Sequence, residues 1–152
     1  MVFCSDRGGN FEIYHLANGV TTALTSDPMF DSWWPRQSPD GRTLLFYRSL
    51  VTDRPPSGGA NNNYDNAALW SLDLNTNVLV ERIPKDTGGW IAQGVADWAP
   101  DSQRLVMAAQ LASTGRWHLF VTGPEGSSPQ QITTRDGIFL DPSWSPDGSQ
   151  IV

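Results

Sequence analysis

One four-residue turn, written three times, constrains this chain more than any other feature. It occurs as Ser38-Pro39-Asp40-Gly41, Ala99-Pro100-Asp101-Ser102 and Ser145-Pro146-Asp147-Gly148. Proline at the second position presets φ for a type I turn, Asp tolerates the third, and Gly or Ser suits the fourth. Two residues after each turn an apolar run begins: Leu44 to Tyr47, Leu105 to Ala108, and Ile151-Val152. Short continuous apolar runs bounded by turns suit strands buried on both faces.

A further strand follows each complete run. The candidates are Phe11 to Tyr14, Ala68 to Leu72 and Trp117 to Val121, each closed by an Asn- or Gly-rich turn. A last strand comes next, at Thr21 to Thr25, Val78 to Ile83 and Gln130 to Thr133. Four short strands per repeat without helical periodicity make an all-β fold and describe the blade of a β-propeller. The turns begin at residues 38, 99 and 145, spacings of 61 and 46 residues. The shorter is close to the roughly 40–45 residues of a WD40 blade. The longer holds a Pro-, Gly- and Asn-rich stretch, residues 53 to 66, which reads as a loop inserted between the second and third strands of its blade. A single domain over residues 1–152 is expected, with blade units at about 1–34, 35–95 and 96–141 and a closing strand at 142–152.

The run Ser5-Asp6-Arg7-Gly8-Gly9-Asn10-Phe11-Glu12-Ile13-Tyr14, then Leu24-Thr25, then Asp141-Pro142-Ser143-Trp144-Ser145-Pro146-Asp147-Gly148 closely resembles the WD40-like repeat of TolB-type propellers. The resemblance covers essentially the whole chain. The second repeat departs from it, with Ala99 and Ser102 where the motif has Ser and Gly; in the first, Gln37 stands where it usually has Trp. Trp34 is expected to take the place of that missing Trp. The resemblance implies a six-bladed propeller, action through protein partners, and the periplasm as compartment. It is also compatible with the propellers of prolyl-oligopeptidase-like peptidases and of oligogalacturonate lyases, so an enzyme's propeller stays open as the alternative. Fold alone does not choose between such functions.

Aligning the repeats puts Met1 and Val2 in the register of Ile151 and Val152. Three blades are too few to close, since rings have four to eight. Two chains would make six, each completing a blade of the other, so a homodimer with two-fold symmetry is expected.

In a propeller the first strand of each blade lines the central channel. The loops joining strands four to one and two to three share one face. Placing the sequence on that plan gathers Phe30, Asp31, Trp33, Trp90 and Phe139 from the four-to-one loops, and Arg7 and Tyr64 from the two-to-three loops. Aromatic rings interspersed with Asp and Arg around a channel mouth suit a peptide or protein segment. Phe30, Trp33, Tyr64, Trp90 and Phe139 are expected to be exposed, and Arg7 and Asp6 could equally brace their own turn. Trp70, Trp98, Trp117 and Trp144 fall in strands and are expected to wedge between blades.

Composition narrows the partner further. Net charge is −6, with one Lys and nine scattered Arg, which argues against nucleic-acid binding. No apolar stretch is long enough to span a bilayer, and the first residues have no basic segment followed by an apolar one. No nucleophile elbow, zinc motif or phosphate loop occurs, so neither catalytic residues nor a metal or cofactor are expected. Cys4, in a strand, reads as a small buried hydrophobe.

Overall fold

The computed structural model describes residues 1–54 and 66–152. They form three antiparallel sheets. The first is β1 (Val2–Ser5), β2 (Glu12–Ala17) and β3 (Val20–Ala23). The second is β4 (Phe30–Gln37), β5 (Thr43–Leu50), β6 (Ala68–Asp73) and β7 (Leu79–Ile83), in that spatial order. The third is β8 (Trp90–Trp98), β9 (Leu105–Leu111), β10 (Trp117–Thr122) and β11 (Gln130–Gln131). A last hairpin follows, closed by a bridge between Trp144 and Ile151. The strands match the repeat pattern in number and order. The second and third sheets begin at Phe30 and Trp90, ahead of residues 35 and 96, because the repeated turn marks where an innermost strand ends and not where it starts. Among the described residues, no helix is long and apolar enough to cross a membrane.

The three turns show why their residues recur. The amide of the fourth residue donates to the carbonyl of the first, at 2.9 Å for Gly41 to Ser38, 3.0 Å for Ser102 to Ala99 and 2.9 Å for Gly148 to Ser145. In the two complete copies the Ser hydroxyl donates to the Asp carboxylate and accepts the amide of the strand that follows, Thr43 at 3.0 Å or Gln150 at 2.9 Å. Ala99 cannot do this. Its turn relies on Asp101, which accepts the amides of Gln103 and Arg104. The fourth residue lies in the left-handed region, where Gly is unstrained and Ser102 is not. Ser102 has a compensating contact: its hydroxyl accepts the amide of Asp40 in the neighbouring turn at 3.2 Å.

The core lies between sheets. Successive residues of β5 point to opposite faces, so Leu44 and Phe46 pack toward the first sheet with Ile13 and Leu72, while Leu45 and Tyr47 pack toward the third with Leu105, Met107 and Trp98. This two-sided burial explains the unbroken apolar runs. Trp98 wedges between sheets as expected, and Trp70 packs on the smaller cluster. Cys4 is half-buried and touches both clusters.

Candidate functional site

Each innermost strand breaks register close to the repeated turn. In β4 the break falls between Trp33 and Arg36, and in β8 between Gln93 and Ala96. Such bulges bend a strand and re-aim its side chains. Counting back from the first residue of each turn, the fourth position holds Trp34, Val95 and Asp141, and the second holds Arg36, Asp97 and Ser143. These six residues, with Pro142, line one cavity of about 390 Å³. The cavity is therefore built largely from the same two repeat positions of β4, β8 and the last hairpin.

Backbone conformation sets the rim. Trp34 and Asp141 occupy the same repeat position, and both have φ of 52°. For a residue as bulky as Trp this left-handed conformation costs on the order of 1 kcal/mol or more and holds only where packing enforces it. The packing is visible: the Trp34 ring stands edge-on to Trp33 at 6.4 Å and to Tyr47 at 6.3 Å. Gln37, where the motif has Trp, keeps its own place and donates to the Gly41 carbonyl at 3.2 Å. Trp34 therefore does not fill that position. It lines the inner cavity instead.

Polar contacts fix the floor. Asp97 Oδ2 accepts the Ser143 hydroxyl at 2.9 Å and the Trp144 amide at 3.0 Å, tying the last hairpin to β8. The Trp98 indole donates to the Arg36 carbonyl at 3.3 Å, tying β8 to β4. The Arg36 and Asp141 side chains remain exposed. The cavity thus offers an aromatic face, one cation and two carboxylates, of which Asp97 is already bonded to the last hairpin, a mixture suited to orienting a ligand that carries both apolar and polar groups.

A second cleft, of about 420 Å³, lies on the flank of the second sheet. Arg48 forms its base. Its buried guanidinium sits over Phe30 at 4.2 Å and Trp70 at 5.0 Å, and donates to Asp27 at 3.0 Å. Glu81, Lys85 and Asp86 line the walls.

The residues singled out by sequence are dispersed. Phe30 is half-buried and lines the flank cleft. Asp31 is buried: it accepts the Phe11 amide at 2.8 Å and both arms of Arg54, at 2.6 and 2.5 Å. That carboxylate raises the Arg54 pKa above its ordinary value. Asp31 is therefore a brace between β4 and the short turn that follows β5. Trp33 and Trp90, expected on the surface, are each only 3% exposed. They belong to strands, not to loops, and point into the core between the second and third sheets, where Trp90 meets Phe120 at 5.0 Å. Phe139 is half-buried and stacks on His118 at 6.1 Å. Arg7 is exposed and folds over Phe3 and Tyr14, at 5.2 and 4.7 Å, with its Nε donating to Ser5; it braces its own turn. Tyr64 lies outside the described residues.

Arg36, Val95, Asp97 and Ser143 escaped sequence reasoning. Their signal was present in the repeat itself, at fixed distances before each turn, but none is unusual in type. Among the described residues, no group of three or more His, Cys, Asp or Glu is placed to hold a metal ion.

Four-stranded antiparallel sheets packed face to face, with inner strands converging on a shared cavity, define the chain as part of a β-propeller. Comparison with known proteins shows that its fold is similar to that of TolB propellers. No protein-family model matches the chain. A protein TolB homolog of Chlorobium luteolum is 29% identical over 153 residues, covering 99% of this chain and 30% of the relative. The crystal structure of TolB from Acinetobacter baumannii matches 99% of this chain and 33% of that one, at 20% identity and a TM-score of 0.70. A putative TolB from Agrobacterium tumefaciens matches 99% of this chain and 48% of that one, at 19% identity and a TM-score of 0.73. Enzymes share the fold too: puromycin hydrolase matches 79% of this chain and 17% of that one, at 22% identity and a TM-score of 0.56. The chain spans less than half the length of each of these proteins.

Proposed function

We propose that this chain is a recognition scaffold without covalent chemistry of its own, binding an extended peptide segment of a partner protein at its inner cavity. The observation that carries this reading is the convergence of Trp34 and Arg36 of β4 with Asp141 before the last hairpin on one cavity. An indole face gives a peptide side chain a rigid apolar surface at little entropic cost. Arg36 and Asp141 offer a donor fork and an acceptor pair, matching the alternating carbonyls and amides of an extended backbone. Neither is neutralised by the other among the described ion pairs. The TolB likeness suggests the periplasm as the compartment for such a partner.

Selection from a displayed random-peptide library tests the proposal. Enriched peptides should bind Arg36→Ala or Asp141→Ala at least about tenfold more weakly, since about 1.4 kcal/mol is the loss expected of one charge-assisted contact. Failure to enrich any peptide, or equal binding to both variants, would defeat it.

A further inference from the structure

The cleft on the flank of the second sheet is separate from the inner cavity, and no described residue lines both. At its base Arg48 is only 3% exposed. Removing a guanidinium from water is costly unless its donors are answered. Here the answer is incomplete. Among the described contacts only Nη2 is bonded, to Asp27 Oδ2 at 3.0 Å, and that carboxylate is itself 39% exposed. Nε is buried without a partner. Ser32 stands opposite Arg48 in the β4–β5 register, and its hydroxyl is also buried without a partner, so the cross-strand neighbour does not supply the missing acceptor. Buried polar groups in folded proteins are bonded with few exceptions, and an exception calls for a cause.

Packing holds the guanidinium where it is. Phe30, at the start of β4, and Trp70 of β6 lie against it at 4.2 and 5.0 Å. A planar fork fixed by two rings, with donors left over, is prepared for a carboxylate, which accepts from such a fork in the plane. The opposite wall carries charge of the other sign. Glu81 of β7 pairs with Trp70 across the strands, and Lys85 and Asp86 follow the end of β7. All three are exposed, and none joins an ion pair among the described residues. A simple carboxylate in this space would meet two free carboxylates, and a simple amine would leave the guanidinium unanswered. A molecule carrying both groups satisfies both walls. Leu50, Trp70 and Pro84 add apolar surface between them, and about 420 Å³ is room enough for a small molecule.

We infer that this cleft binds a small zwitterion of the α-amino-acid type with an apolar side chain. Its carboxylate accepts from the donors of Arg48 that Asp27 leaves free, and its ammonium donates to Glu81 and Asp86. The site is independent of the inner cavity.

Isothermal titration of the 152-residue chain with L-leucine and with leucyl-leucine tests this. At least one should bind with Kd below about 1 mM. The N-acetyl form of that probe lacks the ammonium and its C-terminal amide lacks the carboxylate; each should bind at least about tenfold more weakly. Tighter binding of leucine points to free amino acids, and of leucyl-leucine to short peptides; either supports the inference. Arg48→Lys keeps the charge and loses the fork, but it alters a buried contact, so the deciding variant is the exposed pair Glu81→Gln with Asp86→Asn. That double change should leave thermal unfolding of the free protein unaltered and weaken the zwitterion about tenfold, with the N-acetyl form unaffected. Arg36→Ala, in the inner cavity, should bind as the unaltered chain does. Absence of binding by either probe at about 10 mM overturns the inference. So does equal binding of the acetylated or amidated forms, indifference to the double change, or a loss on Arg36→Ala.

Discussion

Replacing Thr25 with valine keeps shape and volume but removes one oxygen, and the structure says what that oxygen does. The Thr25 hydroxyl is buried. It accepts the Ile13 amide at 2.9 Å and donates to Glu12 Oε2. Glu12 is itself buried and also accepts the Asp27 amide at 2.6 Å and the Asn10 side-chain amide at 3.1 Å. The substitution leaves one buried backbone donor without an acceptor, about 1–3 kcal/mol, and takes one of several donors from a buried carboxylate, about 1.5–3 kcal/mol. A loss of about 3 kcal/mol follows after partial relaxation. Urea unfolding reads it directly: with an m value of about 2 kcal/mol/M, the midpoint should fall by about 1.5 M and m should not change. The third sheet supplies an internal control. Thr133 accepts the Leu119 amide at 3.0 Å and contacts His118 Nδ1 at 3.2 Å, but it is half-buried and no carboxylate depends on it. Thr133→Val should cost about half as much. Both variants must be compared at one protein concentration, because any association stabilises by mass action. A Thr25→Val loss below about 1 kcal/mol, or one no larger than that of Thr133→Val, would refute the reasoning, since ordinary surface changes fall within about 0.5 kcal/mol.

Three further outcomes are expected. The turn aspartates titrate below the ordinary value of 3.8: Asp147 is pushed down to about 2 by the Ser145 hydroxyl and the Ser149 amide and hydroxyl, and Asp40, Asp73 and Asp101 are lowered by hydroxyl or amide donors in their own turns. A lowered carboxylate pKa adds stability above the unfolded value that is lost as pH falls through the folded one, so the urea midpoint should fall from about pH 4 toward pH 2, less steeply in Asp147→Asn. A midpoint that stays flat over that range would contradict this. Gly126→Ala should destabilise by about 1–3 kcal/mol, because φ there is +72° and a Cβ would stand 2.8 Å from the buried Ile83 side chain; thermal unfolding measures it. Asp97→Ala should free the last hairpin, seen as faster amide exchange at Ser143 and Trp144, with β9 and β10 unaffected.

The sequence alone determined the all-β class and the number and order of the described strands. These rest on local chemistry: a Pro-Asp turn, a left-handed fourth residue and short apolar runs act within a few residues, whatever surrounds them. The candidate site was only partly legible. Trp33 and Trp90 looked like loop aromatics at a channel mouth, and only the packing of the second sheet on the third shows them inside the core. Asp31 looked like a ligand contact, and only the approach of Arg54 from the far end of β5 makes it a brace. Conversely, Arg36, Val95 and Asp97 were unremarkable residues until bulges in β4 and β8 turned them toward one space. Which way a side chain points after a bulge, and which neighbour covers it, depends on strands tens of residues apart. That is a property of the packed sheets, not of any stretch of sequence.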